Sequence, residues 1–103
     1  MGSVHAIAET GEMVDASASG SQLPHLAFTS QHLVLVAGTQ KIVPTLDDAM
    51  RRVREYVVPL EDARMKSVGF PGTVLAKILL MLRETSMMGR TIQIILVNEK
   101  LGF

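Results

Sequence analysis

The stretch HLVLVAGTQKIVPTLDDAMRRVREYV, residues 32–57, decides the fold, because it joins a buried strand, a bend and a capped helix. Residues 33–37 are apolar without alternation. Such a run is typical of a strand that is covered on both faces, most often a parallel strand in a layered α/β fold. Gly38 ends the run, and we expect the chain to bend there.

A helix follows the bend. Pro44 disfavours helical geometry at the residue before it, and the Thr45 hydroxyl is placed to accept a hydrogen bond from the backbone N–H of Asp48. The pattern therefore predicts a helix from Leu46. Its apolar residues recur at helical spacing and form one stripe facing the strand: Leu46, Ala49, Met50, Val53 and Val57. Its charged residues, with Asp47 and Asp48 each four residues before an arginine, are predicted to form a solvated face.

The rest of the chain predicts further strands and a second helix. Residues 3–8 and 13–16 are typical of two strands of a hairpin around a glycine-containing turn. Pro59 favours the start of a second helix, over residues 59–67, because proline fits the first helical turn. Residues 73–84 are ambiguous between helix and strand, while residues 90–97 are rich in β-branched side chains. If residues 78–83 are extended, these last two runs form a C-terminal hairpin.

Composition argues against several classes of function. The chain has 103 residues, no cysteine and ten basic against ten acidic residues, so its net charge is zero. This balance argues against a general nucleic-acid binder, and the absence of cysteine excludes disulfides and cysteine-ligated metals or iron–sulfur clusters. No segment resembles a signal peptide or an apolar membrane span, so we expect no membrane partner and a cytoplasmic protein. Hydrophobic residues make up 48 %, which we interpret as area for a subunit interface.

The small-residue loop at residues 16–22, before Pro24, is the best ligand candidate from the residues themselves. Small side chains allow close backbone approach, and N–H groups at a helix N-terminus attract phosphate or carboxylate. The alternative is an ordinary turn in which Ser19 or Ser21 caps a short helix. Lys41 and Arg64 lie near chain bends, where each could meet an anion or be an ordinary surface charge. The three histidines have no metal-binding spacing, so we expect no metal site.

Several segments together resemble one known family. In order, they are HAIAETGEMV, ASGSQLP, HLVLVAGTQKIVPTLDDAMRRV, VVPLEDAR and GRTIQIILVNEKLGF. They resemble the C-terminal half of LUD-domain proteins, the family named for lactate utilisation, and are most similar to its stand-alone bacterial branch. The resemblance implies a single domain over residues 1–103 and a layered α/β fold, part of a ribose-5-phosphate isomerase or CoA-transferase-like architecture, with helices 46–57 and 59–67 on a central sheet and the C-terminal hairpin.

The resemblance also implies where a ligand would lie. It places near a ligand cleft the following residues: Ser19, Gly20, Ser21, Gln22, Gln40 and Lys41. A complete LUD domain is about twice this length and begins with a half that carries a Gly/Ser-rich motif, so this chain would form only one wall of the cleft. Some stand-alone members have a cysteine cluster after the segment PLxxAR, whereas this chain has no cysteine there. We therefore expect no iron–sulfur cluster and no other cofactor.

Three functions remain open. The sequence has no evident set of acid, base and nucleophile, so we favour a LUD-like module that forms a homodimer or larger oligomer and is not catalytic alone. The second is an enzyme or accessory subunit that binds a small anionic carboxylate or phosphorylated metabolite in metabolism of the lactate-utilisation type. The third is a half-domain that pairs with a separate N-terminal LUD half.

Overall fold

The computed structural model describes residues 2–17, 20, 23–29, 31–73, 75–83 and 89–101. Its larger sheet has four strands in the order β4-β1-β2-β5. The strands are β1 (Ala6–Ala8), β2 (Met13–Ser17), β4 (Ile42–Val43) and β5 (Lys77–Met81). β1 and β2 form the predicted antiparallel hairpin, β4 runs parallel to β1, and β5 runs antiparallel to β2.

The smaller sheet pairs β3 (His32–Gly38) in parallel with β6 (Thr91–Val97) over all seven residues. The N-terminal segment connects the two sheets. Gly2 bridges β3 beside Leu35, and the same segment, continuing as β1, pairs with β4 beside Ile42. A 3-10 turn, Thr39–Lys41, separates β3 from β4. The two sheets are therefore joined along one parallel seam that the turn interrupts.

One long helical segment packs on the larger sheet. It consists of α1 (Leu46–Arg52), a π-helical segment (Val53–Val57) and α2 (Val58–Ser67). Thr45 caps α1 as predicted, since its hydroxyl accepts from the Asp48 N–H at 3.2 Å. Pro59 lacks an N–H group and its ring crowds the preceding turn, so the wider π-helical turn just before it lets the helix continue. The two predicted helices are thus one continuous segment.

Two apolar clusters form the core, one on each side of the sheet. Ala6, Val14, Ala49 and Val53 lie between the larger sheet and α1, and all four are fully buried. The second cluster lies on the opposite side, beneath a π-helical turn at His25–Thr29 that contributes Leu26. Its other members are Val4, Ile7, Met13, Leu33, Leu35 and Ala37.

The structure confirms the α/β class and the main helix but not the C-terminal hairpin. β5 pairs with β2, and β6 pairs with β3, in different sheets. A hairpin between β5 and β6 was wrong for a physical reason, because it would leave the backbone groups along the edges of β2 and β3 without these partners. The ambiguous run at 73–84 contains strand at Lys77–Met81. Within the described ranges, no helix is both long and apolar enough to cross a bilayer.

Candidate functional site

A polar interior region lies where the turn separates β3 from β4. On the N-terminal segment, Val4 and His5 lie between the point that pairs with β3 and the point that pairs with β4. Their carbonyl groups therefore face a turn rather than an extended partner strand. Because a buried carbonyl without a hydrogen bond is costly, this region requires donors from elsewhere in the chain.

Two cationic side chains supply those donors. Lys41 Nζ donates to the Val4 carbonyl at 2.9 Å and to Ser3 Oγ at 3.2 Å. Arg52 Nε, from the last turn of α1, donates to the His5 carbonyl at 3.2 Å. Lys41 retains only 6 % of its accessible surface. The ammonium and the guanidinium thus complete the backbone pairing that the turn interrupts.

Burial and charge act together on these two cations. Burial lowers the pKa of Lys41 below its usual range, and the nearby Arg52 charge lowers it further, while Asp15 acts in the opposite direction. Burial also lowers the pKa of Arg52, with Tyr56 partly opposing the shift. The site therefore contains two cations in a poorly solvated environment, and Asp15 is the nearby counter-charge.

Asp15 and His5 form the other half of this cluster. The Asp15 side chain is 2 % exposed, and its Oδ1 lies 2.7 Å from His5 Nδ1, whereas the imidazole is 32 % exposed. The same Nδ1 lies 3.0 Å from the Ala16 backbone N–H. With a proton, Nδ1 donates to Asp15; without one, it accepts from Ala16. In the described part of the chain, Asp15 Oδ2 is buried and has no hydrogen-bond partner.

An open groove of about 480 Å³ adjoins Arg52 on the surface. It is lined by Val43, Pro44, Asp48, Arg51, Arg52, Glu55 and Tyr56. Arg52 lies over the Tyr56 ring at 4.6 Å from its centre, and Lys100 Nζ is 6.0 Å from the same centre. Arg51 lies 3.8 Å from Asp48. Because the lining carries charges of both signs, the groove lacks the single-sign field that concentrates an anion.

The residues predicted for a ligand cleft have separate roles where the structure describes them. Gln40 Nε2 donates to the Leu101 carbonyl at 2.7 Å and so fixes the segment after β6. The Gly20 N–H donates to Ser17 Oγ, and a side chain at Gly20 would meet the stem of Lys77 at 2.7 Å. Arg64 lies on the exposed face of α2, paired with Glu61. Ser19, Ser21 and Gln22 lie outside the described residues.

Sequence reasoning missed Asp15 and Arg52. Arg52 was assigned to the solvated face and paired with Asp48, but it is half-buried and donates to His5; Asp48 instead lies near Arg51. A signal for Asp15 did exist, since a carboxylate in the apolar run MVDA of a predicted strand requires a partner. No comparable local signal marked Arg52, because its acceptor lies 47 residues away.

The polar side chains of this cluster mainly stabilise the fold. The cations are held by backbone carbonyls, and the carboxylate of Asp15 is buried on β2. The imidazole of His5 is 32 % exposed, and Arg52 also lines the open surface groove. Among the described residues, no group of three or more His, Cys, Asp or Glu side chains could hold a metal ion.

Comparison with known proteins gives one match. A family model described as the LUD domain matches residues 1–97 of the 103-residue chain. No curated protein and no solved structure matches. The family match covers both sheets, the long helical segment and the cluster around Lys41.

Proposed function

The chain belongs to the LUD-domain family, and on that premise we propose that it is a lactate-utilisation-related module that self-associates and is not catalytic on its own. The observation that carries this proposal is the open apolar side of β6. Ile94, Ile95 and Leu96 are 39 %, 43 % and 49 % exposed, although they lie in the middle of a strand. Consecutive residues of a strand point to opposite faces, so β6 exposes apolar side chains on both faces.

The buried cluster supports the non-catalytic part of the proposal. A residue that binds or converts a small molecule must reach it, yet Lys41 and Arg52 each donate to a backbone carbonyl of the N-terminal segment. These contacts hold the two sheets together at the interrupted seam. We therefore assign the two cations to folding rather than to substrate binding.

The exposed strand supports the self-association part. Apolar side chains on both faces of an edge strand favour pairing with another chain, and proteins that remain monomeric usually protect such edges with charge or proline. β6 contains neither a charged residue nor a proline. A second chain that covers β6 would complete the smaller sheet.

Native mass spectrometry of the purified protein tests this function, because one spectrum reports both the assembly and any retained small molecule. We expect a dimer or larger oligomer of the 11.2 kDa chain without added mass. A chain that remains monomeric, at concentrations up to those of a crystallisation trial, would contradict the self-association. An adduct of metabolite size that is lost in Lys41→Met, while circular dichroism shows this variant to be folded, but is retained in Lys66→Met would instead favour the anion-binding alternative.

A third result separates the remaining alternative. If the chain is monomeric alone but forms a stoichiometric complex when mixed with a separately expressed N-terminal LUD half, it is a complementing half-domain. The proposal of a self-associating module then fails. The control for this mixture is Ile94→Lys, which places a charge in the middle of β6 and should weaken a complex formed through that strand.

A further inference from the structure

The edge of β6 that no described strand covers is self-complementary. We propose that β6 pairs in antiparallel fashion with β6 of a second copy, about a twofold axis through Ile94, so that the smaller sheets of two chains form one continuous sheet. This inference rests on the self-association proposed above and specifies its interface. Among the described strands, β6 pairs only with β3, so none of them covers its other edge.

The distribution of apolar residues selects the symmetry. In the parallel register, Leu33, Leu35 and Ala37 of β3 lie beside Ile92, Ile94 and Leu96 of β6. Residues in register share a face, so the apolar layer of the core continues onto β6. A twofold axis perpendicular to the sheet keeps that layer on the same side in both copies, and it makes the paired strands antiparallel.

Burial along that layer ends at the free edge. Leu33, Leu35 and Ala37 are completely buried, whereas Ile94 and Leu96 are 39 % and 49 % exposed. A second copy would place its own Ile92, Ile94 and Leu96 beside these residues. These three residues from each copy, six side chains in all, would then form one apolar row across the axis. That row supplies the contact that the single chain lacks.

Charge does not oppose this pairing. Residues 91–97, TIQIILV, contain no ionisable side chain, so the twofold axis brings no like charges together. Arg90, immediately before the strand, is 8 % exposed because its guanidinium donates to the carbonyls of Leu26 and Ala27 at 2.5 Å and 2.8 Å. The charge of Arg90 therefore points toward its own chain and away from the proposed partner strand.

The proposed register makes a specific prediction for single cysteines. Ile94 would face Ile94 of the second copy, with Cα atoms about 4.5–5.5 Å apart, which is within disulfide range. Leu96 would face Ile92, so the two Leu96 Cα atoms would be separated by more than about 13 Å. Because the protein has no cysteine, Ile94→Cys and Leu96→Cys each introduce one thiol, on the same strand and the same face.

The experiment is mild oxidation of both cysteine variants, followed by non-reducing electrophoresis, with circular dichroism to confirm that each is folded. We expect a covalent dimer for Ile94→Cys and little for Leu96→Cys. In a second measurement without oxidation, Ile94→Lys should weaken the dimer by about tenfold or more, because two ammonium groups would face each other.

The outcomes distinguish this interface from self-association in general. If mass measurement shows a dimer but Leu96→Cys crosslinks as well as Ile94→Cys, the proposed register is wrong while the assembling module stands. The same conclusion follows if Ile94→Lys leaves the dimer intact. If the wild-type chain is monomeric in both measurements, the interface and the proposed function fail together.

Discussion

The two sheets differ in how completely the chain covers them. The larger sheet packs against α1, with Ala6, Val14, Ala49 and Val53 fully buried between them. In the smaller sheet, β3 is buried by its own chain, but β6 presents Ile94, Ile95 and Leu96 to solvent. The larger sheet therefore has its main stabilising contacts within one chain, whereas the apolar side chains of β6 stay partly exposed in the single chain.

The seam and the edge of β6 also differ in how their backbone polar groups find hydrogen-bond partners. Where the seam between the sheets is interrupted, Lys41 and Arg52 satisfy the carbonyls of Val4 and His5 from within the chain. Along the edge of β6 that no described strand covers, backbone groups still require hydrogen-bond partners, which water or a second chain can provide. Charged side chains complete the fold at the seam, and their absence from β6 leaves that strand suited to pairing.

The largest expected effect comes from truncating the buried member of a register pair. Leu35, which is fully buried, lies beside Ile94, which is 39 % exposed. Leu35→Ala should lower the free energy of unfolding by about 2–5 kcal/mol at every protein concentration, because it leaves a cavity in the core. Ile94→Ala should lower it by less than about 1 kcal/mol in dilute solution.

Urea unfolding at several protein concentrations measures both variants. The loss in Ile94→Ala should grow with concentration, since it weakens the dimer and only the dimer gains stability by mass action. Equal losses for the two variants at all concentrations would mean that the two members of the pair are equally covered by one chain.

Removing the ammonium at the seam should have the next largest effect. Lys41→Met leaves the Val4 carbonyl without its donor and should lower the free energy of unfolding by about 1–3 kcal/mol. The matched control is Lys66→Met, because Lys66 is exposed on α2 and forms a surface pair with Asp62. That variant should change stability by no more than about 0.5 kcal/mol. If both variants unfold alike, the ammonium of Lys41 has no special role at the seam.

A smaller effect is expected at the start of α1. Thr45→Ala removes the hydroxyl that accepts from the Asp48 N–H and should lower the free energy of unfolding by about 1 kcal/mol. Thr39→Ala is the control, because the Thr39 hydroxyl contacts only the side chain of Asn98 among the described residues and does not cap a helix. Thermal unfolding of both variants checks the difference, and equal melting temperatures would contradict the capping role.

The smallest expected effect is a pH dependence that belongs to Lys41. Its pKa in the folded state is below 10.5, the reference value for an exposed lysine. Between the two values the unfolded chain still holds a proton that the folded protein has released, so stability rises with pH in that window. Below the folded-state pKa both states are protonated, and the cost of burying the charge is constant.

The difference between wild type and Lys41→Met isolates this dependence from other titrating groups. Its measure is the free energy of urea unfolding from pH 8 to 10.5. Relative to the variant, the wild type should gain stability as pH approaches 10.5. A difference that stays constant, or that falls with pH, would contradict the lowered pKa.

Local patterns predicted most of the elements. The strand at residues 33–37, the cap at Thr45 and the apolar stripe of the helix each depend on neighbouring residues, and all three are present. The predicted packing of that stripe on the strand at 33–37 was wrong, because the stripe packs on β1 and β2 of the other sheet. The hairpin of β1 and β2 was predictable for the same reason, because a short turn determines the pairing. Pro59 likewise favoured helix over residues 59–67, although the helical segment runs through this position without a break.

Partners that are distant in sequence could not be predicted in this way. The strand character of residues 91–97 was evident, but the choice of β3 rather than β5 as neighbour depends on which edges the rest of the chain leaves open. The role of Lys41 depends on a carbonyl 37 residues earlier, at an interruption that no local pattern marks. For this reason a ligand-binding cation and a structural cation have the same appearance in the sequence.

Hydrogen–deuterium exchange tests the contrast between the sheets most directly, through the peptides that contain β2 and β6. At high protein concentration both should be protected, and on dilution or in Ile94→Lys only the β6 peptide should lose protection, because its outer edge depends on a second chain. Protection of β6 that is unaffected by dilution and by Ile94→Lys would contradict the account, as would rapid exchange of β6 at every concentration.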